Sequence, residues 1–138
     1  MAEPVVFLPG MMCDARLFAP QLDALSRDRA VMVAPTSLGA RIEEMAAEAL
    51  AAAPAKFALA GLSLGGIVAM EIVRKAPERV TRLALMDTNP VAETPERAAE
   101  REPQIVRVKT GRLAEVMRDE MKPQYLAQGP RRQAVLNL

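Results

Sequence analysis

Phe57-Ala58-Leu59-Ala60-Gly61-Leu62-Ser63-Leu64-Gly65-Gly66 decides how the chain is read. Its first four residues form a short apolar, β-prone run. The stretch from Gly65 to Lys75 has the spacing of a helix closed by Pro77. Between them stands a serine with a glycine two residues away on either side. When a strand turns sharply into a helix, the residues two before and two after the turning point come close together, so both must be small. The residue at the turn is held in a strained backbone conformation with its side chain exposed. The helix N-terminus beneath it also favours developing negative charge. Two plainer readings stay open on these residues alone: the glycines can simply permit a tight turn, and Ser63 can be a helix N-cap. The run Gly61-x-x-x-Gly65-Gly66 matches neither the dinucleotide fingerprint nor a phosphate loop ending in Gly-Lys-Ser/Thr.

Outward from this stretch the chain alternates. Val5-Val6-Phe7-Leu8 reads as a strand running into a turn at Pro9-Gly10, Ala30–Ala34 as a strand stopped by Pro35, and Val80–Met86 as a fourth strand. Leu17, Phe18, Leu22 and Leu25 follow helical spacing, and Ile42, Met45, Ala46, Ala49 and Leu50 mark one face of a helix over about Arg41–Ala53, ended by Pro54. The order β-α-β-α-β-α-β predicts an α/β fold with parallel strands joined by right-handed helical crossovers. The strands are apolar throughout, which predicts helices covering both faces of the sheet.

Composition changes near Asn89-Pro90, dividing the chain into residues 1–90 and 91–138. From Pro95 onwards nine Lys and Arg face six Asp and Glu. Glu96–Met121 reads as two helices separated by Thr110-Gly111, with charges one turn apart forming a solvated face. The run 133–138 has no cap or polar tail and reads as an interruption.

With 138 residues, the chain allows one ordinary domain or part of a larger one. At 51% hydrophobic and 25% charged it is too apolar for a disordered chain and too charged for a membrane bundle. No apolar stretch reaches the roughly 18 residues needed to span a bilayer. A formal net charge of +1 gives no reason to expect a nucleic-acid partner, and Arg131-Arg132 is too short for such a patch. The chain contains no histidine, so no His-based general base and no His-liganded metal lies within these residues. Cys13 is the single cysteine; with no His beside it and no glycine elbow, it reads as a small packing residue. The start Met1-Ala2-Glu3-Pro4 lacks the pattern of a secretory leader, so the expected setting is reducing and cytoplasmic.

The residues resemble, in order, the N-terminal part of an α/β-hydrolase. Val5–Met12 resembles the strand and loop that carry the oxyanion hole, with Pro9 where the family often has a His. Pro35-Thr36-Ser37-Leu38-Gly39 resembles the loop after the next strand, and Ala60–Gly66 resembles the nucleophile elbow. Pro77-Glu78-Arg79-Val80 and Leu83–Thr88 resemble the segment leading into the following strand and cap. The likeness covers about residues 4–94; the remainder fits a helical cap loosely.

The resemblance implies a serine hydrolase acting on a small carboxylic ester or related acyl compound, without metal or organic cofactor. Ser63 would be the nucleophile, Gly61 and Gly65 the elbow glycines, and the backbone N–H groups of Met11 and Leu64 the oxyanion hole. Met12 and Met86 would line an apolar acyl pocket. In the family the triad acid and His come later in the chain, which places both beyond Leu138 and leaves the 138 residues alone nearly inactive. Lys75 and Lys56 cannot substitute as bases, being roughly 18 Å along a helix and roughly 23 Å along a strand from Ser63. Asp87 is a candidate acid for orienting a later His, although capping the turn through Asn89-Pro90 is its more ordinary role. The strands would lie in the spatial order second, first, third, fourth. The fourth would be left as a bare edge open to a second copy of the chain. A non-catalytic binding or assembly module that keeps the elbow is the alternative.

Overall fold

The computed structural model describes residues 2–130, 132 and 133. Arg131, from the pair Arg131-Arg132, and residues 134–138, from the run 133–138, lie outside them. The described chain divides into two compact units, residues 1–91 and 92–138.

The first unit contains strands β1 (Ala2–Leu8), β2 (Arg29–Val33), β3 (Phe57–Leu62) and β4 (Val80–Met86), with helices α1 (Ala19–Leu25), α2 (Ile42–Ala52) and α3 (Leu64–Lys75) between them. All neighbouring strands are parallel and the sheet order is β2-β1-β3-β4, as expected. Each crossover is a helix, which is what parallel neighbours require. The first crossover opens with a 3₁₀ turn over Ala15–Phe18 that the apolar spacing did not reveal. Asp14 sets it by accepting from the Arg16 N–H at 2.9 Å. At the start of α2 the Glu44 carboxylate reaches back to the N–H groups of Ala40 and Arg41, satisfying two donors the helix leaves open.

Alternation along β1 divides the core between the two faces of the sheet. Val6 and Leu8 join Phe57, Leu59, Ala46, Ala49, Val68 and Ile72 in the layer under α2 and α3. Val5 and Phe7 join Phe18 and Ala60 in the layer under α1, where the Phe7 and Phe18 rings lie 4.7 Å apart.

The expectation that helices cover every strand fails at β4. Its five middle residues are exposed, with Leu83 and Leu85 at 44% and 42%. Register pairs Leu83 with Leu59 and Leu85 with Gly61, which places both leucines on the α3 side of the sheet, beyond the strip that α3 covers. An apolar run reads the same in a central strand and at an edge, so composition could not separate the two cases.

Arg79, in the 3₁₀ turn Pro77–Arg79 that leads into β4, closes the far end of the sheet. Its guanidinium donates to the carbonyls of Pro54 at 2.8 Å, Ala53 at 2.9 Å, Leu50 at 3.1 Å and Ala55 at 3.3 Å, and lies 5.7 Å from the centre of the Phe57 ring. These carbonyls belong to the C-terminal turn of α2 and the loop entering β3, where a helix end supplies no donors of its own. The planar fork fits several carbonyls at once, as an ammonium cannot. Arg79→Ala is expected to cost about 2–3 kcal/mol in urea unfolding, with Arg79→Lys recovering less than half. A lysine variant as stable as the wild type would contradict the fork geometry.

The second unit contains α4 (Pro95–Lys109), α5 (Leu113–Val116) and α6 (Lys122–Tyr125), with a π-helical turn over Met117–Met121 joining the last two. Thr94 caps α4 by accepting from the Arg97 N–H, Pro95 occupies the first helical position, and Gly111 takes the break between α4 and α5 at φ 88°. Glu120 ties the helices together, pairing with Arg107 and accepting from Gln104 Nε2 at 2.9 Å. No described helix is long and apolar enough to cross a membrane.

Candidate active site

Three non-glycine residues of the described chain have positive φ: Met12 (59°), Ser63 (54°) and Asp87 (42°). They come after the carboxyl ends of β1, β3 and β4, the edge of a parallel sheet where ligands gather. Backbone strain of this kind persists only where the surroundings impose it.

At Ser63 the imposing groups can be named. The residue has φ 54° and ψ −116°, a region that suits glycine, and its side chain makes no capping bond to α3. The N-cap reading of Ser63 therefore fails at the side chain. Its backbone N–H donates to the Met86 carbonyl at 2.9 Å, fixing the elbow to the end of β4. The small residues around it are required by close approach. A Cβ on Gly61 would overlap the carbonyl of Gly65, and one on Gly65 would overlap the carbonyl of Leu8. Gly66 meets Thr88 instead: a Cβ there would lie 2.6 Å from Thr88 Cβ and Oγ1. Gly61 and Gly65 thus bring the first turn of α3 down onto β1 and β3.

The Ser63 side chain is exposed and borders an open cleft of about 250 Å³ with Ile67, Asp87, Thr88 and Asn89. Ile67 lies one helical turn after Ser63, a relation that helical spacing could have revealed. Asp87 makes no hydrogen bond or ion pair among the described residues. The turn after β4 is closed by Asn89, whose Oδ1 accepts from the Val91 N–H at 2.8 Å. The capping role given to Asp87 therefore belongs to Asn89, because Asp87 is the residue that takes the left-handed bend.

The loop after β1 comes close to Ser63. A Cβ on Gly10 would lie 3.5 Å from Ser63 Cβ and 3.3 Å from the Leu62 side chain. Beyond it lies a turn in which the Cys13 N–H donates to the Gly10 carbonyl at 3.1 Å. Among the described residues no backbone carbonyl takes the N–H of Met11 or of Leu64. The two methionines expected in the cleft do not line it. Met12 is 61% exposed, and Met86 packs against the core layer under α1. Even-numbered positions of β4 from Arg82 onward share the side of Ala58, Ala60 and Leu62, which carries Met86 away from Leu85 and the α3 face.

Cys13 is exposed, so the packing role expected of it does not hold. Partial desolvation, and then the neighbouring Asp14 carboxylate, push its thiol up from the ordinary range, which keeps it protonated near neutral pH and a weak nucleophile. Asp14 itself is held low by its hydrogen bonds to Arg16. Among the described residues no cluster of three or more His, Cys, Asp or Glu could hold a metal ion.

The fold has known counterparts. A thermophilic esterase from Thermogutta terrifontis, solved with malate bound, is 28% identical and superposes with a TM-score of 0.74 over 89% of this chain and 50% of its own. An extracellular α/β-hydrolase from a Paenibacillus species is 17% identical, with a TM-score of 0.67 over 98% of this chain and 64% of its own. Cfl2 from Burkholderia cenocepacia is 18% identical, with a TM-score of 0.59 over 79% and 48%. No family profile and no curated protein sequence matches the chain. The first unit is a parallel sheet flanked by helices, and the fold is α/β-hydrolase-like. The chain spans about half the length of the esterase.

If the surroundings impose the Ser63 conformation, glycine should suit it better than alanine. Ser63→Gly is expected to be more stable than Ser63→Ala by about 1 kcal/mol in thermal or urea unfolding, the reverse of the usual order. Equal stabilities, or a more stable alanine variant, would show that Ser63 is not strained in solution.

Proposed function

We propose that this chain carries the nucleophile half of a serine hydrolase acting on a small carboxylic ester or related acyl compound. One observation carries the reading: an exposed serine at φ 54°, ψ −116°, held between a strand and a helix by glycines that no larger residue could replace. The esterase and hydrolase counterparts support it.

In this reading Ser63 Oγ attacks the acyl carbonyl and loses its proton to a base. The carbonyl oxygen becomes an oxyanion, facing the N–H groups of Met11 and Leu64. Donors aimed at that charge are typically worth about 3 kcal/mol each in the transition state. The alkoxide leaves with a proton, giving an acyl-serine, and water then releases the acid and restores the hydroxyl. The 138 residues hold no histidine, so the base lies outside them. Asp87 lines the same cleft as Ser63, and in this reading it would be the acid that orients an incoming imidazole. No cofactor takes part.

The test is hydrolysis of short p-nitrophenyl esters by the protein isolated from its natural source. Ser63→Ala is expected to lower kcat/KM at least about 10⁴-fold. An active protein indifferent to that substitution would sink the reading.

A second reading, assembly through the sheet edge, is favoured by β4. Its exposed Leu83 and Leu85 stand beside backbone groups with no neighbouring strand on the outer side among the described residues. A second copy of this chain is the partner proposed. Light scattering of the 15.0 kDa chain is expected to give a mass of two copies or more, falling when Leu83 is replaced by Lys. A monomer at high concentration would contradict it.

A further inference from the structure

Ser63 is held by more than its glycines. Its carbonyl accepts the N–H of Gly66 at 2.9 Å and of Ile67 at 3.2 Å, bonds that the start of any helix makes. It also accepts the hydroxyl of Thr88 at 2.8 Å, from beyond the end of β4. Met86, two residues before Thr88, takes the Ser63 N–H. Asp87 between them has φ 42°, and this bend lets one short segment grip both backbone groups of Ser63. The space Thr88 needs is supplied by Gly66, where a Cβ would lie 2.6 to 2.7 Å from three Thr88 atoms. Gly66 is therefore explained by Thr88 and not by the elbow turn, which uses Gly61 and Gly65.

The consequence runs through one peptide bond. The Ser63 carbonyl and the Leu64 N–H belong to the same planar unit and point in opposite directions, so fixing one fixes the other. A donor on the carbonyl also polarises the amide and strengthens its N–H as a donor. We propose that Thr88 is a positioning residue: by donating to the Ser63 carbonyl it sets the direction and strength of the Leu64 N–H that faces the oxyanion. This rests on the reading of Ser63 as the nucleophile. Thr88 touches no reacting atom in that scheme; it acts through the peptide.

The substitutions that isolate the hydroxyl are Thr88→Val, which keeps the shape against Gly66, and Thr88→Ser, which keeps the donor. Two measurements are made on the protein from its natural source, which in this reading carries the base outside these 138 residues. In the first, the Leu64 amide resonance is followed by NMR. It is expected to shift upfield in Thr88→Val and to stay near its wild-type position in Thr88→Ser. In the second, phosphonylation of Ser63 by a fluorophosphonate is measured to saturation. Thr88→Val is expected to lower the limiting rate about tenfold, the worth of one ordinary hydrogen bond, with the half-saturating concentration unchanged; Thr88→Ser restores the rate.

An unshifted Leu64 resonance in Thr88→Val overturns the proposal whatever the labelling does. So does a serine variant that behaves like the valine one, since Thr88 would then act only by packing. Failure of that wild-type protein to label at all, with the Leu64 resonance moving as expected, counts against the nucleophile reading and supports the link from Thr88 to that amide.

Discussion

The first unit depends on how closely the first turn of α3 approaches the ends of β1 and β3. The carbonyls of Leu8 and Gly65 occupy the space that side chains at positions 65 and 61 would take, so only glycine permits the contact. Once it is made, the chain must pass from β3 to α3 within one residue, and that residue is Ser63. Its left-handed backbone is a consequence of the approach, and so is the exposure of its side chain. The neighbouring elements then meet the same point: the loop after β1 through Gly10, and the segment after β4 through Met86 and Thr88. The cleft lies between the start of α3 and the segment after β4.

Most of this frame was legible in the residues. Apolar runs of strand length alternating with helical spacing pointed to the parallel sheet and its four strands. The placement of Gly61, Ser63 and Gly65 at a predicted strand-to-helix junction located the elbow. These signals are local, and each rests on a period or a spacing along the chain. The features that stayed hidden depend on contacts between distant segments. Thr88 is one hydroxyl among several, and nothing in its neighbours marks the Ser63 carbonyl as its acceptor. Arg79 looks like a surface charge until four backbone carbonyls are found around it. Backbone acceptors carry no sequence signature, so both roles stay invisible in one dimension.

The departures from expectation have physical causes of the same kind. Met86 and Asp87 are adjacent, yet nearness to the carboxyl end of β4 does not by itself point a side chain into the cleft. The pleat sends Met86 to the α1 side, while the positive φ of Asp87 turns the chain toward Thr88 and the elbow. Met12, at φ 59°, is exposed. The bare edge of β4 was expected from the resemblance, but the exposure of its side chains was not, because a strand's composition reports how apolar it is, not what covers its faces. Leu83 and Leu85 lie on the α3 side of the strand whose end carries Asp87 into the cleft.

The central claim is that this geometry makes Ser63 a nucleophile. Its most direct test is to treat the protein from its natural source with a fluorophosphonate and locate the adduct by peptide mass spectrometry. The account predicts the adduct on Ser63, in the peptide that begins after Lys56 and ends at Arg74. An adduct on another residue, or none on a folded protein, would contradict it.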